Sequence, residues 1–140
     1  MWAARKALSP ALRTLSPNKI NEDVVVPVSR VPELVAVTRA LAVKYAMPIV
    51  CFGHAGNGNL HVNLLPRDAA ELARADACLG EVFDAVIRLD GTLSGEHGIG
   101  IAKRDFMPRA VDANALALMR AIKQQFDPDG IFNPGKLLPD

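Results

Sequence analysis

Hydrophobic positions along the chain change their period from segment to segment, and each change predicts an element. The run EDVVVPV from Glu22 to Val28 is continuous and β-branched, which predicts a strand, with Pro27 marking an edge or an end. Ser29 is placed to cap a helix beginning near Val31, with Pro32 in its first turn. Leu34, Val37, Leu41 and Tyr45 then recur at three- and four-residue intervals, giving that helix one buried face until Met47-Pro48 ends it. Ile49 to Gly53 is a short apolar strand and Leu60 to Leu65 a second, and the Gly- and Asn-rich stretch between them predicts a hairpin. Alternation along the second strand sends His61 and Asn63 to one face and Leu60, Val62 and Leu64 to the other.

Asp68 to about Asp90 reads as a long amphipathic helix with Leu72, Ala75, Leu79, Val82, Val86 and Leu89 on its inner stripe, stopped by Gly91. The segment GTLSGEHGIGIAKRDFMP that follows combines a small strand candidate, the glycine-flanked pair Glu96-His97 and a short helical turn. A last helix is predicted from about Asp112 to Phe126, with Leu116, Met119, Ile122 or Lys123, and Phe126 facing inward, before a turn-rich tail. The order β-α-β-β-α-(β)-α predicts an α+β fold: an antiparallel sheet with helices packed on one face, in one domain over residues 1–140.

Composition narrows the function classes. Of the 140 residues, 50% are hydrophobic and 22% charged, which fits a globular domain rather than a disordered or fibrous one. A net charge of +1 supplies no general field for nucleic acid or an anionic membrane, so specificity must come from local groups. No apolar run approaches the roughly 20 residues that span a bilayer, and the expectation is a soluble, cytoplasmic protein, at most peripheral to a membrane. Cys51 and Cys78 lack metal-type spacing and read as reduced core residues. Residues 1–21 are basic and acid-free, as in an organellar leader. Pro10 and Pro17 interrupt the long amphipathic helix a leader needs, so this arm is read as part of the domain.

The chain's three histidines all lie beside or near glycines: His54 and His61 bracket Gly-Asn-Gly, and His97 sits in SGEHGIG. Glycine allows close backbone approach to a ligand, and a hairpin can converge His54 and His61. Imidazole suits zinc, iron and other first-row cations, and Glu96 would complete three ligands with positions left open. His97, adjacent to Glu96, is then a candidate base for a metal-bound hydroxyl. The glycines at 95, 98 and 100 lack the GxxxxGK[ST] pattern of a phosphate loop.

Three motifs in order, GHAGNGNLHVNLL, GTLSGEHGIGIAKRDFM and FDPDGIFNPGKLLP, together with WAARKALSPALR and KINEDVVVP, resemble the C-terminal region of the FAD-linked oxidases. Within that family the resemblance is to the D-lactate dehydrogenases, the glycolate oxidase D subunits and the D-2-hydroxyglutarate dehydrogenases. The resemblance implies a flavoenzyme that oxidises a small D-2-hydroxy acid to the 2-oxo acid and passes electrons to an acceptor other than oxygen or nicotinamide. It implies that His54, His61 and Glu96 bind a divalent metal, with zinc or manganese expected, and that His97 accepts the substrate proton. It further implies substrate contacts at Arg5, from the WxxR element, and at Asn63, and a cofactor contact at Asn133 in FNPGK. The family's N-terminal flavin-binding domain has no counterpart in these residues, so FAD would be bound mainly by a flavin-binding domain or subunit elsewhere. A non-catalytic metal-binding or assembly module, or an inactive remnant of the enzyme, is the alternative reading of the same ligands.

Overall fold

A computed structural model describes residues 2–139. Its sheet has three strands, β1 (Ile20–Val25), β2 (Ile49–His54) and β3 (Asn59–Leu64), in the order β1-β3-β2, with β3 antiparallel to both neighbours. The helices are α1 (Trp2–Leu15), α2 (Val31–Lys44), α3 (Ala69–Arg88), the single turn α4 (Met107–Ala110) and α5 (Ala113–Phe126). The α+β architecture expected from the periodicity is therefore present, with α2 and α3 packed on one face of the sheet.

The two faces of the sheet differ because side chains alternate along each strand. Val24, Leu60, Val62 and Leu64 point into a core built with Leu34 and Leu41 of α2 and Ala75, Cys78, Leu79, Val82, Phe83 and Val86 of α3. Asp23 and Phe52 are the register partners of His61, so all three share the opposite face. That second face is flanked by α1, whose Leu8 and Ser9 border the same cavity as Phe52 and His61. The small strand candidate after Gly91 is a single antiparallel bridge, Thr92 to Val25, which fastens the following loop to the outer edge of β1.

Several local expectations are corrected. The N-terminal arm is one helix with Pro10 inside it, not a helix broken there. Pro10 removes only the hydrogen bond to the carbonyl of Lys6, and both residues are exposed, so water can satisfy the freed oxygen. Leu12 is the buried residue of α1, and Ser16 Oγ donates to the carbonyl of Pro66 at 2.6 Å, tying the end of the helix to the end of β3. Ser29 lies in a one-turn 3-10 segment and makes no capping bond. Asp68 does cap α3, accepting from the amide of Glu71, and Asp112 caps α5 through the amides of Asn114 and Ala115.

The inner stripe of α3 runs through Glu71, Ala75, Cys78, Val82, Phe83 and Val86, and Leu72 is turned outward at 42% exposure. Glu71 takes the inward position because Arg67 binds its carboxylate beside the cap. On α5 only the first part of the expected inner face is covered: Leu116 is buried and Met119 borders an apolar cavity with Leu93 and Met107, whereas Ile122 is 52% and Phe126 79% exposed. The end of α5 is instead closed by Asp127, which pairs with Lys123 and accepts from the amides of Ile131 and Phe132. Cys51 and Cys78 are free thiols, and burial raises the pKa of both, that of Cys78 to about 11.

The hairpin between β2 and β3 turns through a 3-10 segment, Ala55–Asn57, into Gly58, which has φ of +74°. A Cβ there would lie 1.9 Å from the carbonyl oxygen of Val26, whereas one on Gly56 would meet open space. Gly58→Ala should therefore destabilise the chain by about 1–3 kcal/mol, and Gly56→Ala by no more than about 0.5 kcal/mol. Urea unfolding of the two variants beside the parent measures the difference.

Candidate active site

The last residue of β2 and the third residue of β3 bring their imidazoles together across the hairpin. The rings of His54 and His61 meet edge to face with centroids 5.7 Å apart. Glu96 reaches them from the 94–98 loop, with Oε1 at 3.1 Å from His61 Nε2 and 3.8 Å from His54 Nε2. One donor atom from each of these residues lies within 4.8 Å of the others, as a shared cation requires. His61 Nδ1 is buried with no hydrogen-bond partner among the described residues. Burial, and then the neighbouring His97 and His54, lower the pKa of His61 despite the Glu96 carboxylate. A neutral imidazole is the form that ligates metal, and two imidazoles with one carboxylate suit a divalent first-row cation.

His97 completes the cluster, its ring stacked on that of His61 at 5.4 Å between centroids. Its Nδ1 lies 3.3 Å from Oδ1 of Asp23, a fully buried residue of β1. Asp23 also accepts hydrogen bonds from the backbone amides of Gly95, Glu96 and His97 and from the ammonium of Lys103. Burial alone would raise its pKa, but the amides of Glu96 and His97 and the Lys103 ammonium outweigh that and hold the carboxylate well below the usual range. Lys103 is itself buried and reaches Glu22 at 3.2 Å. Neither Asp23 nor Lys103 is singled out by the sequence reading. The available signal was a pair of acids, Glu22-Asp23, at the start of a β-branched run.

A cavity of about 390 Å³ opens over the cluster, walled by His54, His61 and Glu96 on one side and by Arg5, Leu8 and Ser9 of α1 on the other. The Arg5 guanidinium lies 3.5 Å from His54 Nε2 and 5.4 Å from the centre of the Trp2 ring, one helical turn earlier. A cavity of about 260 Å³ beside it shares Ser9, Phe52, His61 and Glu96 and adds Asn21 and His97.

Two of the residues picked from the sequence lie away from these walls. Asn63 does share the His61 face, but it is fully buried and its amide donates to the carbonyls of Val50 and His61. Asn133 lies in the exposed tail with φ of +48°, accepting from Lys136 Nζ at 3.2 Å. Arg5, His54, His61, Glu96 and His97 are the ones brought together.

Residues 1–137 match the family described as FAD linked oxidases, C-terminal domain. The chain is 40% identical to the glycolate oxidase subunit GlcD of Bacillus subtilis over 96% of its own length and 29% of that relative's. It is also 40% identical to the D-2-hydroxyglutarate dehydrogenase of Xanthomonas citri pv. viticola, covering 98% of this chain and 30% of the relative. Similarity to the probable mitochondrial D-lactate dehydrogenase of Danio rerio is 34%, over 98% of this chain and 27% of the relative. The chain thus spans less than a third of the length of the curated relatives it matches. Across nearly all of that span, from α1 to the tail, it belongs to the FAD-linked oxidases and carries their C-terminal domain.

Proposed function

We propose that this cluster is the metal-binding and proton-accepting half of an FAD-dependent D-2-hydroxy-acid dehydrogenase. The observation that carries the reading is the convergence of His54, His61 and Glu96 on one point, with His97 stacked directly against them. The relatives' names supply the substrate class: glycolate, D-lactate or D-2-hydroxyglutarate, oxidised to the 2-oxo acid. A flavin-binding domain or subunit is the required partner.

When bound, a divalent cation would supply Lewis acidity for a hydroxyl, and a flavin would supply hydride-accepting chemistry. His54, His61 and Glu96 would hold that cation through two neutral imidazoles and a carboxylate. Arg5 faces the ligands across the cavity and suits the substrate carboxylate, since its planar fork can bind both oxygens. His97, with Nδ1 turned to Asp23, keeps Nε2 as the acceptor of the hydroxyl proton. Oxidation removes that proton and the α-hydride together, leaving the carbonyl. Leu8 and Phe52 form the apolar part of the cavity wall.

The reading is tested with the flavin-binding domain restored and an artificial electron acceptor. His97→Ala should lower turnover by about 10²–10⁴-fold while bound metal, measured by elemental analysis, stays at the parent level. His54→Ala and Glu96→Gln should lose metal and activity together. Unchanged oxidation of all three hydroxy acids by either histidine variant would sink the proposal. A chelator should leave the thermal midpoint of the isolated chain nearly unchanged, because the apolar core lies on the opposite face of the sheet. Collapse of the fold on chelation would indicate a structural metal site instead.

The pH dependence has a definite sign. With its pKa lowered in the fold, His61 is protonated more readily in the unfolded chain, so its share of stability is present above about pH 6.5 and declines as pH falls from there towards its lowered value. Carbon and nitrogen NMR shifts of the metal-free chain should place the His61 midpoint below 6.5. A midpoint at or above that value would contradict the stated balance of burial over the Glu96 charge.

A further inference from the structure

We infer that Asp23 is the positioning residue of this site: its buried carboxylate is the template around which the 94–98 loop folds, so that Glu96 and His97 face the hairpin. The inference rests on the metal-site reading given above, and it concerns how two ligating or proton-accepting side chains from a distant loop are delivered to it.

Three consecutive amides, those of Gly95, Glu96 and His97, converge on Oδ2 of Asp23, the first at 2.7 Å and the third at 3.1 Å. Successive N–H groups turned to one point form a concave anion-binding nest, and here the anion is a side chain of the same protein. Curling the backbone inward at these residues throws the side chains of Glu96 and His97 outward, where Glu96 meets His61 and His97 stacks upon it. Oδ1 meanwhile accepts from Lys103 Nζ at 2.9 Å and faces His97 Nδ1.

Each oxygen of Asp23 therefore receives donors, and the strand delivers it in register with His61. An acceptor-only group is needed, because an asparagine would turn an NH₂ towards either the three amides or the ammonium. Lys103 completes the arrangement by also donating to the carbonyls of Asp23 and Leu93, which pins the start of the loop to β1. Gly95 fits beneath because a Cβ there would lie 2.2 Å from the side-chain amide of Asn59. The loop is thus held from below by β1, with Gly95 seated against Asn59 of β3.

Two measurements on the full 140-residue chain test this. First, hydrogen exchange of the metal-free parent should show the amides of Gly95, Glu96 and His97 protected by roughly 100-fold or more over free-peptide rates. Exchange at free-peptide rates would overturn the inference, and this arm needs no variant. Second, Mn²⁺ affinity followed by electron paramagnetic resonance should weaken by about 10–100-fold in Asp23→Asn, measured below the midpoint of its thermal melt. Val82→Ala, a core change on the other face, should leave that affinity alone, separating positioning from general loss of stability. Parent-like Mn²⁺ binding by a folded Asp23→Asn would also overturn the inference. If the parent chain itself fails to bind Mn²⁺, the metal reading falls, while amide protection still decides the role of Asp23.

Discussion

The central strand β3 is hydrogen-bonded on both edges, so its side chains have only two directions available. Leu60, Val62 and Leu64 are taken by the core under α2 and α3, and that choice leaves His61 no direction except the opposite face. A slip of one residue in register would exchange the histidine for a valine at the site and expose the core set to water. Burying one such aliphatic side chain is worth about 1.5–3 kcal/mol, and three of them lie on this strand. The force that fixes the ligand is thus hydrophobic and acts on its neighbours.

The other face has the reverse problem, since it buries charge. Asp23 is fully enclosed there, and the buried Lys103 reaches it at the edge of β1, where the ammonium also meets Glu22; burial raises the pKa of Glu22 even though Lys103 opposes it. Enclosed charges cost several kcal/mol each unless matched by partners. Asp23 has such partners in abundance, whereas Glu22 has chiefly the ammonium it shares. One lysine thus serves two carboxylates, and it does so at the seam where β1 meets the loop. Removing either member of the central pair would leave the other charge buried alone, a loss on the order of 3–5 kcal/mol.

Much of this was legible in the residues. The hairpin, α2, α3 and α5 follow from period and from cap residues such as Asp68 and Asp112, and the glycine-flanked histidines mark themselves because so few histidines are present. What periodicity omits is depth and partnership. It assigns Asn63 to the His61 face correctly but does not say that the position lies beneath the cavity, where its amide serves backbone carbonyls. It gives α5 an inner stripe without saying whether anything covers it. Proline chemistry argued against a helix over the N-terminal arm, yet Pro10 sits on the exposed side, where one lost backbone bond is tolerable. Asp23 was hidden for a different reason: three of its donors are backbone amides, which are the same in every sequence, and its lysine partner lies 80 residues away.

The partly covered stripe of α5 bears on how the domain comes apart. With Leu116 as its buried residue, the helix draws its stability mainly from the Asp112 cap at one end and the Lys123–Asp127 closure at the other. A free helix of this length is marginal in water. Few buried apolar contacts place α5, like α1 with its single buried Leu12, among the segments that open before the sheet, α2 and α3. The histidine cluster, anchored to β2, β3 and the β1-bound loop, belongs to the part that opens last.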